Sequence, residues 1–330
     1  MAEIITESAS VKTGRSVGQP DSPAGRGSAS RSAALRRLLT AKFVIGSAIV
    51  LSILLFGIIG PFLTQNPRSI NNIGLTPPGT GHLLGTTQIG QDVFAQLAYS
   101  TRGSLIVGVA VAAVVLALSA VFGILGAYVG GATDEGFSLL SNVMLVIPGL
   151  PLVIVIASYV QNKSVFLVIM VLGLTGWAAG ARVLRAQTLS LRNRDYVLAC
   201  RVAGESTWRI ICVEILPNLL PVMSSGFVFG IIGAILAEAG LSYIGIGATG
   251  ALTWGTMLAG AGNGQALLFG AWWWFAPPGL MIALLGAGLS LINFSIDEVI
   301  NPKLRTHSTA KLKKVDQRVA AAPVPSVESE

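Results

Sequence analysis

Charge is in short supply along this chain. Asp, Glu, Lys and Arg make up 11% of its 330 residues, against about 25% in an ordinary soluble domain. Histidine occurs twice, at His82 and His307, and cysteine twice, at Cys200 and Cys212. Two histidines in separate polar regions cannot supply a Ser-His-Asp or Cys-His constellation, and two thiols with no histidine beside them do not make a zinc site. The thiols read as small, half-buried, reduced side chains. The phosphate-cradling pattern G-x-x-x-x-G-K-[ST] is also missing, so this chain is not an ATPase of that kind. The sequence asks for no cofactor or metal.

What is present is apolar. Hydrophobic residues make up 52% of the chain, with 39 glycines and a mean hydropathy of +0.71. Nearly all the charge lies outside a few long apolar blocks, which indicates an all-α integral membrane protein rather than a soluble domain with a large core. Six transmembrane helices are expected, over residues 43–63, 104–129, 139–160, 165–181, 218–247 and 275–296, the third broken by Pro148 and Pro151. The stretch GGATDEGFS reads as a short turn between the second and third.

Residues 1–42, rich in Ser, Gly, Ala and Arg, read as a disordered basic tail. A secretory signal would place its apolar core nearer the start, so 43–63 reads as a retained span. The expected organisation is this tail, a first span with a polar outer loop (43–103), a core of the remaining five spans (104–296) and a C-terminal tail (297–330). The net charge of +7 does not indicate nucleic acid, because its location beside the spans is that of cytoplasmic flanks facing a lipid bilayer. With the N-terminus inside, nineteen Lys and Arg fall on the inner side and only Arg68, Arg102 and Lys163 on the outer. Both termini and the segment 182–217 are therefore expected in the cytoplasm of a multi-pass cell-membrane protein.

That segment contains YVLACRVAGESTWRIICVEILPN, a charged double helix between two spans. Asp195 is placed to cap a helix beginning at Tyr196. Tyr196, Ala199, Cys200 and Ala203 then share one small-residue face. Gly204 is placed to stop the helix in the left-handed conformation. Ser206 would cap the next helix, whose apolar side is Ile210, Ile211 and Val213, and Pro217 would end it and hand over to the fifth span. Helices of two to three turns are not stable alone, so something outside must hold them. The residues leave two readings open: a pair lying on headgroups with Arg201 and Arg209 toward phosphates, or a knuckle that sits in another protein's cleft.

The segment resembles the Glu-Ala-Ala loop of permease subunits of ATP-binding-cassette importers, through Ala199, Ala203, Gly204 and the later Pro217. GTTQIGQDVFAQLAYSTRGSL (85–105) resembles the Gly-Thr-Asp-x-x-Gly-Arg-Asp signature of the dipeptide/oligopeptide/nickel branch. ILPNLLP, AEAGLSYIGIG, TWGTML and the ending DEVINPKLR resemble its later blocks, in order. Leu198 stands where the family usually has Glu, Cys200 where it has Ala, Glu214 where the branch often has His, and Gln91 where it has Arg.

The resemblance implies a type I importer permease fold with cytoplasmic coupling helices. It implies as partners a second homologous permease subunit, two cytoplasmic ATPase subunits and an extracellular solute-binding protein. On it, ATPase coupling would fall to Asp195, Tyr196, Ala199, Cys200, Arg201, Ala203, Gly204, Glu205, Ser206 and Pro217, with Glu205 standing in for the missing acid. The cargo it implies is a di- or oligopeptide, with oligosaccharide or nickel as alternatives. An ion-coupled secondary transporter and a non-transporting scaffold are the rival classes.

Glu238 is the only ionisable residue well inside a span and is a candidate for packing or for lining the translocation path rather than for a proton relay. On the outer side, Asp92 would cap a short amphipathic helix. The Gly-rich loop 248–271 could reach the binding protein, and Trp272, Trp273 and Trp274 would form an interfacial aromatic belt.

Overall fold

The computed structural model describes residues 41–70, 72–160 and 163–300; most of the two tails lies outside the described residues. Helix α1 is Ala41–Leu63. Helix α2 is Val93–Val129 and helix α3 Gly131–Val146, followed by α4, Gly149–Ser158. Then come α5, Val165–Leu191, and the short α6, Asp195–Val202. Helix α7 is Thr207–Tyr243; α8 is Trp254–Asn263 and α9 Trp272–Ile300. Five of these are long and apolar enough to cross a membrane, or six spans if the bent pair α3–α4 counts as one. The all-α, six-span expectation therefore stands in outline, and the local differences have physical causes.

The carboxylate of Asp92 accepts from the Ala95 backbone N–H at 2.8 Å, so it caps a helix as expected. That helix is not short, however. With no proline to interrupt it, it runs 37 residues as α2, about 55 Å at 1.5 Å per residue, so the cap at Asp92 and the second span expected from residue 104 belong to one continuous helix. The turn after it is also tighter than GGATDEGFS suggests. Gly130 and Gly131 take φ of 77° and 59°, and helix α3 already includes Gly131. Pro148 then sits in extended backbone at the N-cap of α4, and the α3–α4 pair bends by 84°.

Pro217 does not end a helix. Helix α7 passes through a π turn at Ile210–Ile215, where the Leu216 N–H bonds to the Ile211 carbonyl five residues back. The wider turn shifts the hydrogen-bond ladder, so proline's missing N–H and bulky ring fall where the register is already changing. A second π turn, Val121–Leu125, interrupts α2.

Helix α5 crosses α2 closely. A Cβ added at Gly173 would lie 2.5 Å from Val114, and one at Gly180 2.5 Å from the Ser119 hydroxyl. Small residues here serve close backbone packing; Gly226, by contrast, faces open space.

The loop after α7 contains a helix that the sequence did not reveal. Helix α8 is held by a capping box: Thr253 accepts from the Thr256 N–H, and the Thr256 hydroxyl accepts from the Thr253 N–H. Nor do the three tryptophans form a belt. Trp272 is exposed, but Trp273 and Trp274 are buried in the main apolar cluster, and the Trp273 indole donates to the Thr86 carbonyl at 3.2 Å.

The bundle has two distinct ends. At one, Lys42 of α1 pairs with Glu298 of α9 at 2.5 Å, and Ser225 of α7 donates to Asp297 at 3.3 Å. The start of α1 and the end of α9 thus meet at what we call the basic end, beside the middle of α7, into whose N-terminal half α6 leads. At the other, loop end, Arg68 donates to the Gly250 carbonyl and the Thr249 N–H bonds to the Lys163 carbonyl at 2.7 Å.

Candidate functional site

The segment between α5 and α7 folds as two short turns about one glycine. Asp195 is the first residue of α6, not its cap: Arg194 holds the N-cap position and no side chain caps the helix. The carboxylate still sits in the first turn, where the helix dipole favours an anion. At the other end, Gly204 has φ +78°. Its N–H bonds to the Arg201 carbonyl at 3.0 Å, and the Glu205 N–H reaches back to the Cys200 carbonyl at 3.1 Å. This pair of bonds is a Schellman stop, with Ala203 as C-cap and glycine at the left-handed position. Ser206 takes the N-cap position of the next helix, but its side chain makes no capping bond.

Which side of this knuckle is held, and which is free, follows from burial. Val197 is 0% exposed and lies in an apolar cluster with Ile124, Tyr128, Leu184, Ile210, Ile211 and Ile215. Cys200 packs at the edge of that cluster. Val213, expected on the same apolar side, is exposed instead. On the outward side Tyr196, Ala199, Ala203 and Gly204 are exposed. Val202 is 90% and Trp208 66% exposed, one on each side of Gly204. Neither was singled out from the sequence, although two large apolar residues in a polar, glycine-centred turn were a readable signal.

The charges of the knuckle are mostly spent internally. Glu205 pairs with Arg209 four residues on, at 2.5 Å, so its carboxylate is already engaged and does not stand free as a substitute for the acid absent at Leu198. Arg201 lies over the Tyr128 ring, 4.7 Å from its centroid, and its Nε donates to the phenol oxygen at 3.2 Å. Pro217 lies beyond the π turn in α7 and takes no part in the knuckle.

Glu238 belongs to the other end. It is 2% exposed, and its Oε1 accepts from the Ser242 and Thr253 hydroxyls, both at 2.7 Å. Trp254 completes the junction: its N–H donates to the Ser104 hydroxyl at 2.8 Å and its indole to Thr101 at 3.1 Å. The carboxyl thus fastens α8 onto α7 next to α2, and it faces protein rather than open space. Between α8 and the outer loop lies an open cavity of about 410 Å³, whose polar lining is Gln88, Gln91, Gln96, Thr256 and Asn263. Gln96 donates to Gln91 at 2.5 Å. The lining contains no charged side chain.

Residues 119–306 match the family model described as binding-protein-dependent transport system inner membrane component. Among curated relatives, the chain is 33% identical to the dipeptide transport system permease protein of Bacillus subtilis (strain 168), over 82% of this chain and 85% of that one. It is 32% identical to the oligopeptide transport system permease protein of the same organism, over 79% and 86%. The oligopeptide transport system permease protein of Mycobacterium tuberculosis (strain ATCC 25618 / H37Rv) is 30% identical, over 84% and 96%. In structure, a chain of the inward-facing MetNI methionine ABC transporter matches with a TM-score of 0.50 at 16% identity, covering 62% of this chain and 94% of that one. That likeness shows a shared fold. The chain belongs to the binding-protein-dependent transport system inner membrane components, the permease subunits of ATP-binding-cassette importers.

Proposed function

We propose that this chain forms half of the translocation pathway of a peptide importer and that the Gly204 knuckle is where it docks on a cytoplasmic ATPase. The observation that carries this reading is the exposure of Val202 and Trp208 around a rigidly stopped turn, at the end of the bundle where the Lys and Arg of the sequence concentrate. Large apolar side chains gathered on a polar tip mark an interaction surface, and aromatic anchors of this kind dominate protein interfaces. In this arrangement Tyr196, Ala199, Ala203 and Gly204 form the close-contact face. Asp195, Arg201, Glu205 and Ser206 shape the knuckle, Cys200 seats it on the bundle, and Pro217 marks the start of the span it pulls on. Both termini lie in the cytoplasm with it, a placement that the positive-inside asymmetry of the sequence supports.

Peptide cargo is favoured by the curated permeases at 30–33% identity. A second permease completes the pathway. An extracellular binding protein delivers cargo at the loop end, where the uncharged, carboxamide-lined cleft opens. Glu238 acts there by fixing α8 at the mouth of the path rather than by lining it. Vesicles containing the whole importer test this reading. Labelled di- or oligopeptide should accumulate only with ATP, both ATPase subunits and the binding protein present. Accumulation by this chain under an ion gradient, without ATPases, would instead establish a secondary transporter.

A further inference from the structure

The elbow between α2 and α3 reads AYVGGATD over residues 127–134, with one carboxylate and no basic residue. Three arginines from the α5–α6 region converge on it. Arg185 donates from Nε and Nη2 to the two carboxylate oxygens of Asp134, at 2.6 and 2.8 Å, the two-pronged geometry in which a guanidinium fits a carboxylate best. Arg192, the residue after α5, donates to the Ala127 carbonyl at 2.6 Å. That carbonyl belongs to the last turn of α2, where backbone acceptors lack helical partners and the dipole favours a cation. Arg201, on the knuckle helix itself, grips the buried Tyr128 by ring face and hydroxyl.

We propose that these arginines form a clamp that makes the α2–α3 elbow move with the knuckle, and that Tyr128 and Asp134 are positioning residues for transport. The proposal rests on the docking reading above. Its physical basis is direction. The apolar seat under α6 is buried Val197 with half-buried Cys200 beside it, and apolar contact has no preferred orientation, so a short helix seated on them alone could slide. The Arg201 contact with the Tyr128 ring and hydroxyl fixes the orientation of α6 on the elbow, while Arg185 and Arg192 hold the same elbow to the end of α5, from which α6 leads. A displacement of the knuckle then enters α2 and α3 as well as α7, to which the chain leads directly. Each of the two long helices leaving this region carries a π turn close to it, Val121–Leu125 in α2 and Ile210–Ile215 in α7. Residues of both turns pack in one cluster. Such turns are where helices bend.

The test uses the complete importer in lipid vesicles and reads peptide accumulated per ATP hydrolysed, normalised to assembled complex. Tyr128→Leu keeps an apolar side chain but loses ring and hydroxyl, and Asp134→Asn keeps shape but loses charge. Each is expected to lower the ratio roughly tenfold while hydrolysis continues, the scale of one well-placed cation–π or charged contact. Tyr128→Phe, which keeps the ring face and loses only the hydroxyl, should recover most of the coupling. If Tyr128→Leu does not assemble, Asp134→Asn and Arg192→Gln carry the same expectation from the other two prongs. Unaltered ratios in the variants that assemble overturn the clamp. A Val202→Cys probe, with Cys200 and Cys212 replaced by alanine, keeps the two ideas apart. Absence of a cross-link from it to an ATPase subunit sinks the docking reading, whereas a cross-link together with unaltered ratios sinks the clamp alone.

Discussion

Substitution of Gly204 isolates the knuckle from everything around it. A Cβ at this position meets no atom within 4 Å, so Gly204→Ala adds no clash and its whole effect is conformational. With φ at +78°, an L side chain there costs about 1–2 kcal/mol, which is roughly 5–30-fold in the population of the stopped turn. Asparagine, which visits the left-handed region more readily, should cost less. Proline is worse on two counts. Its φ is held near −65°, and it removes the N–H that bonds to the Arg201 carbonyl, together on the order of 3 kcal/mol. The order of damage is therefore Asn, Ala, Pro. Hydrogen exchange at the Glu205 amide, whose bond to Cys200 closes the turn, reports the local equilibrium, and peptide uptake per ATP reports coupling. Protection of that amide and uptake per ATP should both fall in that order while the protein remains in the membrane. A Gly204→Pro importer with normal uptake would refute the assignment of the bend to this residue.

Three further outcomes follow from contacts elsewhere. Thr253→Val removes both the cap of α8 and a hydrogen bond to buried Glu238. It should lower the thermal midpoint in lipid nanodiscs more than Ser242→Ala, the cap alone contributing about 1 kcal/mol. Gly123→Ala forces a Cβ to 2.5 Å from the Ala181 carbonyl and should destabilise by about 1–3 kcal/mol through overpacking, whereas Gly226→Ala, with open space before it, should be close to neutral in the same melts. Gln96→Arg would place a charge in the uncharged cleft at the loop end. It should weaken binding-protein-stimulated ATP hydrolysis while basal hydrolysis persists, and equal stimulation would remove that cleft from the docking surface.

Much of the bundle was legible because membrane spans announce themselves by length and apolarity, and because left-handed glycines such as Gly204 have few alternatives. Misreadings arose where backbone context overrides local rules. Pro217 reads as a stop, yet a π turn just before it lets α7 run through. GGATDEGFS reads as a loop because its residues are small and polar, but only two glycines are needed to turn the chain. Helix α8 was hidden by its glycine content, although Thr253 and Thr256 spelled out its cap. At the candidate site, the sequence located the knuckle but not what grips it. Tyr128, Asp134, Arg185 and Arg192 come from separate stretches, and only folding brings them together. The one hint was an acidic, arginine-free elbow expected on the same side as a basic segment.

The central claim is that a separate ATPase drives this chain through the knuckle, and cross-link mapping from Val202→Cys in the assembled importer tests it most directly. With Cys200 and Cys212 replaced by alanine, a short bifunctional reagent at residue 202 is predicted to capture an ATPase subunit. Labelling of that cysteine by a membrane-impermeant thiol reagent added outside intact cells, with no ATPase captured, would contradict it.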